Sequence, residues 1–159
     1  MTKPIFISII FLLSFGFFNQ SEGQTLSARQ SGIIQSQVDS IFLKMVVLAE
    51  NLEFDKLSSG VNDIHAAGFI SNGKYYASYS ALIDDVKSFA QGINKQNISI
   101  KEKRITVLSD KIVLLTASGT SKAIINDGRE LSVDFHWSFI YEKIDNSWKV
   151  IYSHQSTTR

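Results

Sequence analysis

Cysteine is absent from this chain of 159 residues. That excludes disulfides, a thiolate metal site, a thiol nucleophile and a cysteine-linked lipid anchor. Core packing alone must hold the fold, so its stability should be indifferent to reductant. Proline occurs once, at Pro4 near the N-terminus, so none interrupts the rest of the chain. Neither sign of charge dominates: 16 Lys and Arg against 15 Asp and Glu give a formal charge of +1, and no electrostatic case for nucleic acid or an anionic membrane as partner. The three histidines, His65, His136 and His154, have no short helical spacing, so neither a metal site nor a cofactor is expected. No glycine-rich phosphate loop, internal repeat or low-complexity linker is visible.

What is present begins with an apolar run, Ile5 to Phe18, preceded by Lys3 and followed by the small residues of Ser21-Glu22-Gly23. This pattern predicts a cleaved secretory signal over 1–23 and a secreted or periplasmic protein. The run is too short for the roughly 20 residues that span a bilayer, so no stable membrane anchor is expected after cleavage. Removing Lys3 and Glu22 with it leaves the charge at +1. Residues 24–31 are expected to be a flexible new terminus, and 32–159 a single domain large enough to bury its own core.

Within that domain the periodicity runs helix first, sheet last. Ile34, Val38, Ile41, Phe42, Met45, Leu48 and Leu52 fall on one helical stripe, predicting a helix from about Gly32 to Asn51. A second helix is predicted over 81–90, with Ser80 as N-cap, Asp84 and Asp85 at its positive end, and Leu82, Ile83, Val86 and Phe89 inward. Between them Ser71-Asn72-Gly73 marks a turn in an aromatic arm. From Asn97 the period becomes two. Strands are predicted near 98–108, 112–124, 131–143 and 148–156, joined by short turns into an antiparallel meander. A sheet with one apolar face and amphipathic helices to cover it is an α+β layer architecture.

The closing hairpin carries most of the aromatic residues, and its register decides which of them share a face. A two-residue turn at Asp145-Asn146 pairs Tyr141 with Val150, Phe139 with Tyr152 and Trp137 with His154, placing the large aromatics together. A three-residue turn slips the pairing by one and brings His136 opposite His154, exchanging every side chain between faces. The first separates apolar from polar residues and is preferred. A turn of Asn126-Asp127-Gly128 with Gly128 left-handed then sets Ala117 opposite Trp137 and Gly119 opposite Phe135. The small residues leave room for the rings or for a ligand.

A leading helix, an arm with an Asn-Gly turn, a short second helix and four long strands ending in Asp145-x-x-Trp148-x5-His154-x-Ser156 resemble the SnoaL-like, nuclear-transport-factor-2-like superfamily. The resemblance covers the whole of 32–159 in order of elements. It implies a curved antiparallel sheet of about four long strands plus a short N-terminal arm, wrapped around two to three helices as a cone with a central pocket. It also implies a homodimer through the outer sheet face. Ketosteroid isomerase, scytalone dehydratase, polyketide cyclases and limonene epoxide hydrolase belong to this superfamily, as do members that bind without catalysing.

His154, placed inside by the preferred register, is the first candidate for a general acid or base, or else a core histidine satisfied by backbone or by Ser156. His65, beside Asp63 at the arm, is a second catalytic candidate or a solvated loop residue, and His136 belongs to the outer face. No acid matches the carboxylate of the isomerase-like members. Tyr76, Tyr79, Phe135, Trp137, Phe139, Tyr141, Trp148 and Tyr152 are the expected pocket lining. Two functions follow: a secreted domain that binds a small apolar or aromatic molecule, or a cofactor-independent lyase, isomerase or hydrolase using His154.

Overall fold

A computed structural model describes residues 26–158, so the predicted signal over 1–23 lies outside the described residues. The first helix, α1 (Ala28–Glu50), begins four residues before the predicted Gly32. The cause is a capping box: Ser27 Oγ accepts from Gln30 N at 3.2 Å while Gln30 Oε1 accepts from Ser27 N at 2.9 Å. Ile34, Val38, Phe42 and Val46 recur every four residues and form its buried stripe. By length and composition α1 could cross a membrane, yet that stripe is packed into the protein core. A short helix, α2 (Phe54–Leu57), runs into a 3-10 turn over Ser58–Gly60. Four residues were too few for periodicity to reveal α2, but they bury Phe54 and Leu57.

The arm is a hairpin, β1 (Gly68–Ser71) and β2 (Lys74–Tyr76), whose turn uses positive φ at Asn72 and Gly73. The next helix, α3 (Tyr79–Ala90), starts two residues before the predicted boundary and is capped by Ser78, which accepts from Ala81 N, rather than by Ser80. The meander follows as β3 (Ile93–Val107), β4 (Ile112–Ile125), β5 (Glu130–Ile144) and β6 (Ser147–Thr158). The six strands order as β2-β1-β6-β5-β4-β3; the four long ones are antiparallel, while β1 joins β6 in parallel. Three helices thus pack against a six-stranded mixed sheet, an α+β arrangement with four long antiparallel strands.

On the helix-facing side of the sheet, Val113, Leu115 and Ala117 of β4 lie opposite Tyr141, Phe139 and Trp137 of β5. Phe42 of α1 meets Phe139 at 6.0 Å between ring centroids, in a tilted pair. Full burial of a side chain such as Phe42 or Val38 contributes about 1.5–3 kcal/mol, which makes the α1 stripe the principal clamp on this face. Gly119 pairs with Phe135 and Ala117 with Trp137, as the turn chemistry implied, and Gly128 takes φ +84°.

The closing hairpin departs from expectation halfway along. Asp145 and Asn146 form the expected two-residue turn, both at positive φ, with Ile144 opposite Ser147 and Tyr141 opposite Val150. Ile151 is then an extra residue: Ile140 pairs with Tyr152, and beyond it Phe139 faces Ser153 and Trp137 faces Gln155. A β-bulge of this kind shifts every later side chain to the other face. The predicted pairs Phe139 with Tyr152 and Trp137 with His154 are therefore replaced. The bulge is held by the segment that crosses the end of the sheet: Asn62 N donates to Val150 O at 3.0 Å and Ala67 N to Ile151 O at 2.7 Å. Its irregular carbonyl is thus satisfied from outside the β5–β6 ladder.

Candidate functional site

Between the helices and the inner face of the sheet lies a cavity of about 590 Å³. Volumes of roughly 300–1,000 Å³ are usual for small-molecule sites. Its apolar walls include Phe42 and Val46 from α1, Leu57 from α2, Leu82 and Val86 from α3, Ile98 from β3, and Trp137 and Phe139 from β5; Phe89, expected inward on α3, is instead exposed at its rim. Phe135 stacks on Trp137 at 3.9 Å with 19° between the rings, bracing that wall from behind.

Most polar lining groups gather near the β1–β2 turn. Ser71 pairs with Lys74 on β2 and with Gln155 on β6, so alternation places all three on the cavity face together with Ser153. Gln155 Nε2 donates to Ser153 Oγ at 3.3 Å. Asn72 Oδ1 accepts from Thr157 N at 2.9 Å and from its hydroxyl at 3.1 Å, tying the arm's turn to the end of β6.

The charged part of the site joins β2 to α3. Asp85 Oδ2 accepts from Lys74 Nζ at 2.5 Å and from Tyr76 OH at 2.7 Å, and all three residues line the cavity. The Lys74 ammonium and then the Tyr76 hydroxyl hold the Asp85 carboxyl below its ordinary value. The same bond to Asp85, reinforced by burial, raises the Tyr76 hydroxyl. Lys74 Nζ also lies 4.8 Å from the Tyr76 ring centroid, a cation–π contact that fixes the ammonium over the ring. Tyr79 stands deeper, edge-on to Phe69 at 5.6 Å, with its hydroxyl raised by burial first and by Asp63 second.

Of the residues singled out from sequence, Tyr76, Tyr79, Trp137 and Phe139 line this cavity. Phe135, Tyr141 and Trp148 are buried in the core around it; Trp148 Nε1 donates to Gln37 Oε1 at 3.0 Å. Tyr152 and His154 require correction: the bulge at Ile151 turns both to the outer face, where His154 is exposed opposite Ser138 and beside Ile70. His136 shares that outer face, opposite Ser118 and Ser156. His65 is not at the cavity either; it is exposed, with Nδ1 3.0 Å from Glu142 Oε2. Asp63, beside His65 at the arm, accepts from Tyr79 N at 2.7 Å and serves the start of α3.

Sequence alone does not single out Lys74, Ser153 or Gln155 as lining residues, and it gives Asp85 a helix-end role. A signal for it existed. Leu82, Asp85, Val86 and Phe89 are spaced three, four and seven apart, so Asp85 is a carboxylate on the apolar stripe of α3. Ser153 and Gln155 had no such signal, because their facing depends on the bulge.

Comparison with known proteins agrees with this architecture. A putative scytalone dehydratase from Novosphingobium aromaticivorans superposes with a TM-score of 0.74 at 8% identity, covering 84% of this chain and 89% of that one. A hexachlorocyclohexane dehydrochlorinase, LinA type 2, gives 0.71 at 12% identity over 84% and 90%. A nuclear transport factor 2-like protein from Salmonella enterica gives 0.68 at 12% identity over 84% and 94%. Identities this low speak for the fold alone. None of the curated proteins matches the chain. The SnoaL-like domain family matches residues 38–159, which is most of the described sequence and includes every strand and the cavity between sheet and helices; the chain belongs to that family.

Proposed function

We propose that this protein is an exported binding domain that holds a small apolar or aromatic molecule in the cavity between its helices and sheet. The observation that carries this reading is the cavity itself: about 590 Å³ left open although Trp137, Phe139, Tyr76 and Tyr79 all border it. Apolar walls with a few convergent polar groups are the usual make-up of a small-molecule site. Export rests on the apolar run at Ile5 to Phe18 and the small residues that follow it. The alternative chemistry, a lyase, isomerase or hydrolase acting through His154, has no support from the geometry, since that imidazole is exposed on the far side of the sheet.

A second part of the proposal is a homodimer through the outer face, where Leu114, Ile140 and Tyr152 form a half-buried cross-strand row. The binding reading is tested by native mass spectrometry of freshly purified protein, which should report a retained small molecule. An Ala49→Phe variant, which places a ring in the cavity, should lose it while His154→Ala keeps it. Protein that carries nothing, and whose melting temperature is unmoved by a broad panel of apolar metabolites, would rule the binding reading out.

A further inference from the structure

Lys74 and Asp85 are the charged side chains that line the cavity among the described residues, and they are bonded to each other. Their charges cancel at the mouth, so an ionic ligand head gains nothing net: a carboxylate attracted to Lys74 meets Asp85 beside it, and an ammonium drawn to Asp85 meets Lys74. Hydrogen-bonding capacity is nevertheless left over. Lys74 and Tyr76 both donate to Asp85 Oδ2, while Oδ1 takes no hydrogen bond among the described residues. Oδ1 is therefore an open acceptor, and an ammonium has donors to spare beyond the one it gives Asp85. An open acceptor beside open donors is the complement of a neutral group that donates and accepts through one atom. That group is a hydroxyl.

The surroundings specify what carries it. Asp85 sits on the same stripe of α3 as Leu82, Val86 and Phe89, so a head at its carboxylate leads directly into the apolar part of the cavity. Trp137 and Phe139 on the opposite wall, at 73° to each other, offer one face and one edge to a flat ring.

We infer that the cavity selects an uncharged aromatic or polycyclic alcohol or phenol, its hydroxyl donating to Asp85 Oδ1 and accepting from Lys74 while its body lies between α3 and the Trp137 wall. This rests on the binding reading above and names the head group of its ligand. The proposal assigns the Lys74–Asp85–Tyr76 cluster, rather than any histidine, as the polar anchor of the site.

Three probes of one shape separate the possibilities: 2-naphthol, 2-naphthoate and 2-naphthylmethylammonium, each titrated calorimetrically into the full chain. The naphthol should bind about tenfold or more tighter than either ion, the scale of a hydrogen bond to a charged group. Asp85→Asn leaves Lys74 uncompensated and should make the naphthoate the preferred probe, and Lys74→Met should do the same for the ammonium. Opposite changes of ranking in two variants cannot come from a general loss of folding. A wild-type preference for either ion, or a ranking that neither variant alters, would overturn the hydroxyl anchor while leaving the cavity reading intact. If none of the three probes binds the wild type, the hydroxyl anchor is overturned too, and the retained-ligand and metabolite-panel measurements above decide the cavity reading.

Discussion

Gly119 lacks a side chain where none can be placed: a Cβ there would stand 2.1 Å from Ser99 O on β3 and 2.7 Å from Phe135 Cζ. The ring could shift, but the carbonyl belongs to the backbone of the neighbouring strand. Gly119→Ala is therefore expected to cost about 1–3 kcal/mol or more, read as a melting temperature several degrees lower, and a second change of Phe135→Leu should not restore it. Tyr141 illustrates a different residue-scale constraint. Burial lifts its hydroxyl above the ordinary phenol value of 10.0, and burial with Asp63 does the same for Tyr79. The unfolded chain releases these protons near the ordinary value while the folded chain retains them. The stability from keeping both neutral is thus fully present below about pH 10 and is lost as pH rises through the folded values. Melting temperature should be flat between about pH 7 and 9 and fall above 10. Tyr141→Phe should flatten part of that alkaline slope, at a neutral-pH cost below about 1 kcal/mol, because its hydroxyl makes only a 3.6 Å contact with Met45 Sδ.

At the scale of elements, β6 is two half-strands with opposite facing, joined at Ile151. Deleting Ile151 would remove the bulge and leave simple alternation with the present facing, Tyr152 and His154 outward and Ser153 and Gln155 inward. The loop beside it would lose one of the two carbonyls that hold it, Val150 O for Asn62 N and Ile151 O for Ala67 N. The deletion is expected to lower the melting temperature by several degrees, about the cost of one or two unmet backbone hydrogen bonds, with amide exchange rising first over 61–71. Asn146→Gly, by contrast, eases one of two strained positive-φ positions in the turn and should raise the melting temperature slightly. These two segments also show what the sequence could reveal. Turns speak through local chemistry, and Asp145-Asn146, Asn72-Gly73 and Gly128 all adopt the backbone their residues favour. Helical stripes speak through spacing, which located α1 and α3 to within a few residues. The bulge has no such code: Trp148 to Ser156 alternates acceptably on either facing, and the choice is made by the loop over Asn62 to Ala67 that crosses the end of β6. Four of the eight expected lining residues border the cavity: Trp137 and Phe139 on β5, whose pairing with β4 is the expected one, with Tyr76 of the arm and Tyr79 at the start of α3. His154 does not, since a contact distant in sequence sets its register.

For the molecule as a whole, the sheet has two faces with different work. The inner face is closed by α1, α2 and α3 around the cavity, and among the described residues no helix covers the outer face. Along the outer face the cross-strand row of Leu114, Ile140 and Tyr152 runs between more polar rows, Thr116, Ser138 and His154 on one side and Ile112, Glu142 and Lys149 on the other. A second copy laid across that row buries the apolar side chains while leaving the flanking polar groups at the rim, the arrangement typical of specific interfaces. Light scattering on the eluting protein should then give the mass of a dimer, and Ile140→Lys, a charge at the centre of the row, should give a monomer. Because the cavity lies on the inner face of the sheet, away from that row, the monomeric variant should bind the naphthol probe with unchanged affinity. A monomeric wild type would refute the proposed interface. A dimer whose dissociation abolished binding would show that the outer face and the cavity are coupled through β5 and β6, the strands whose side chains supply both.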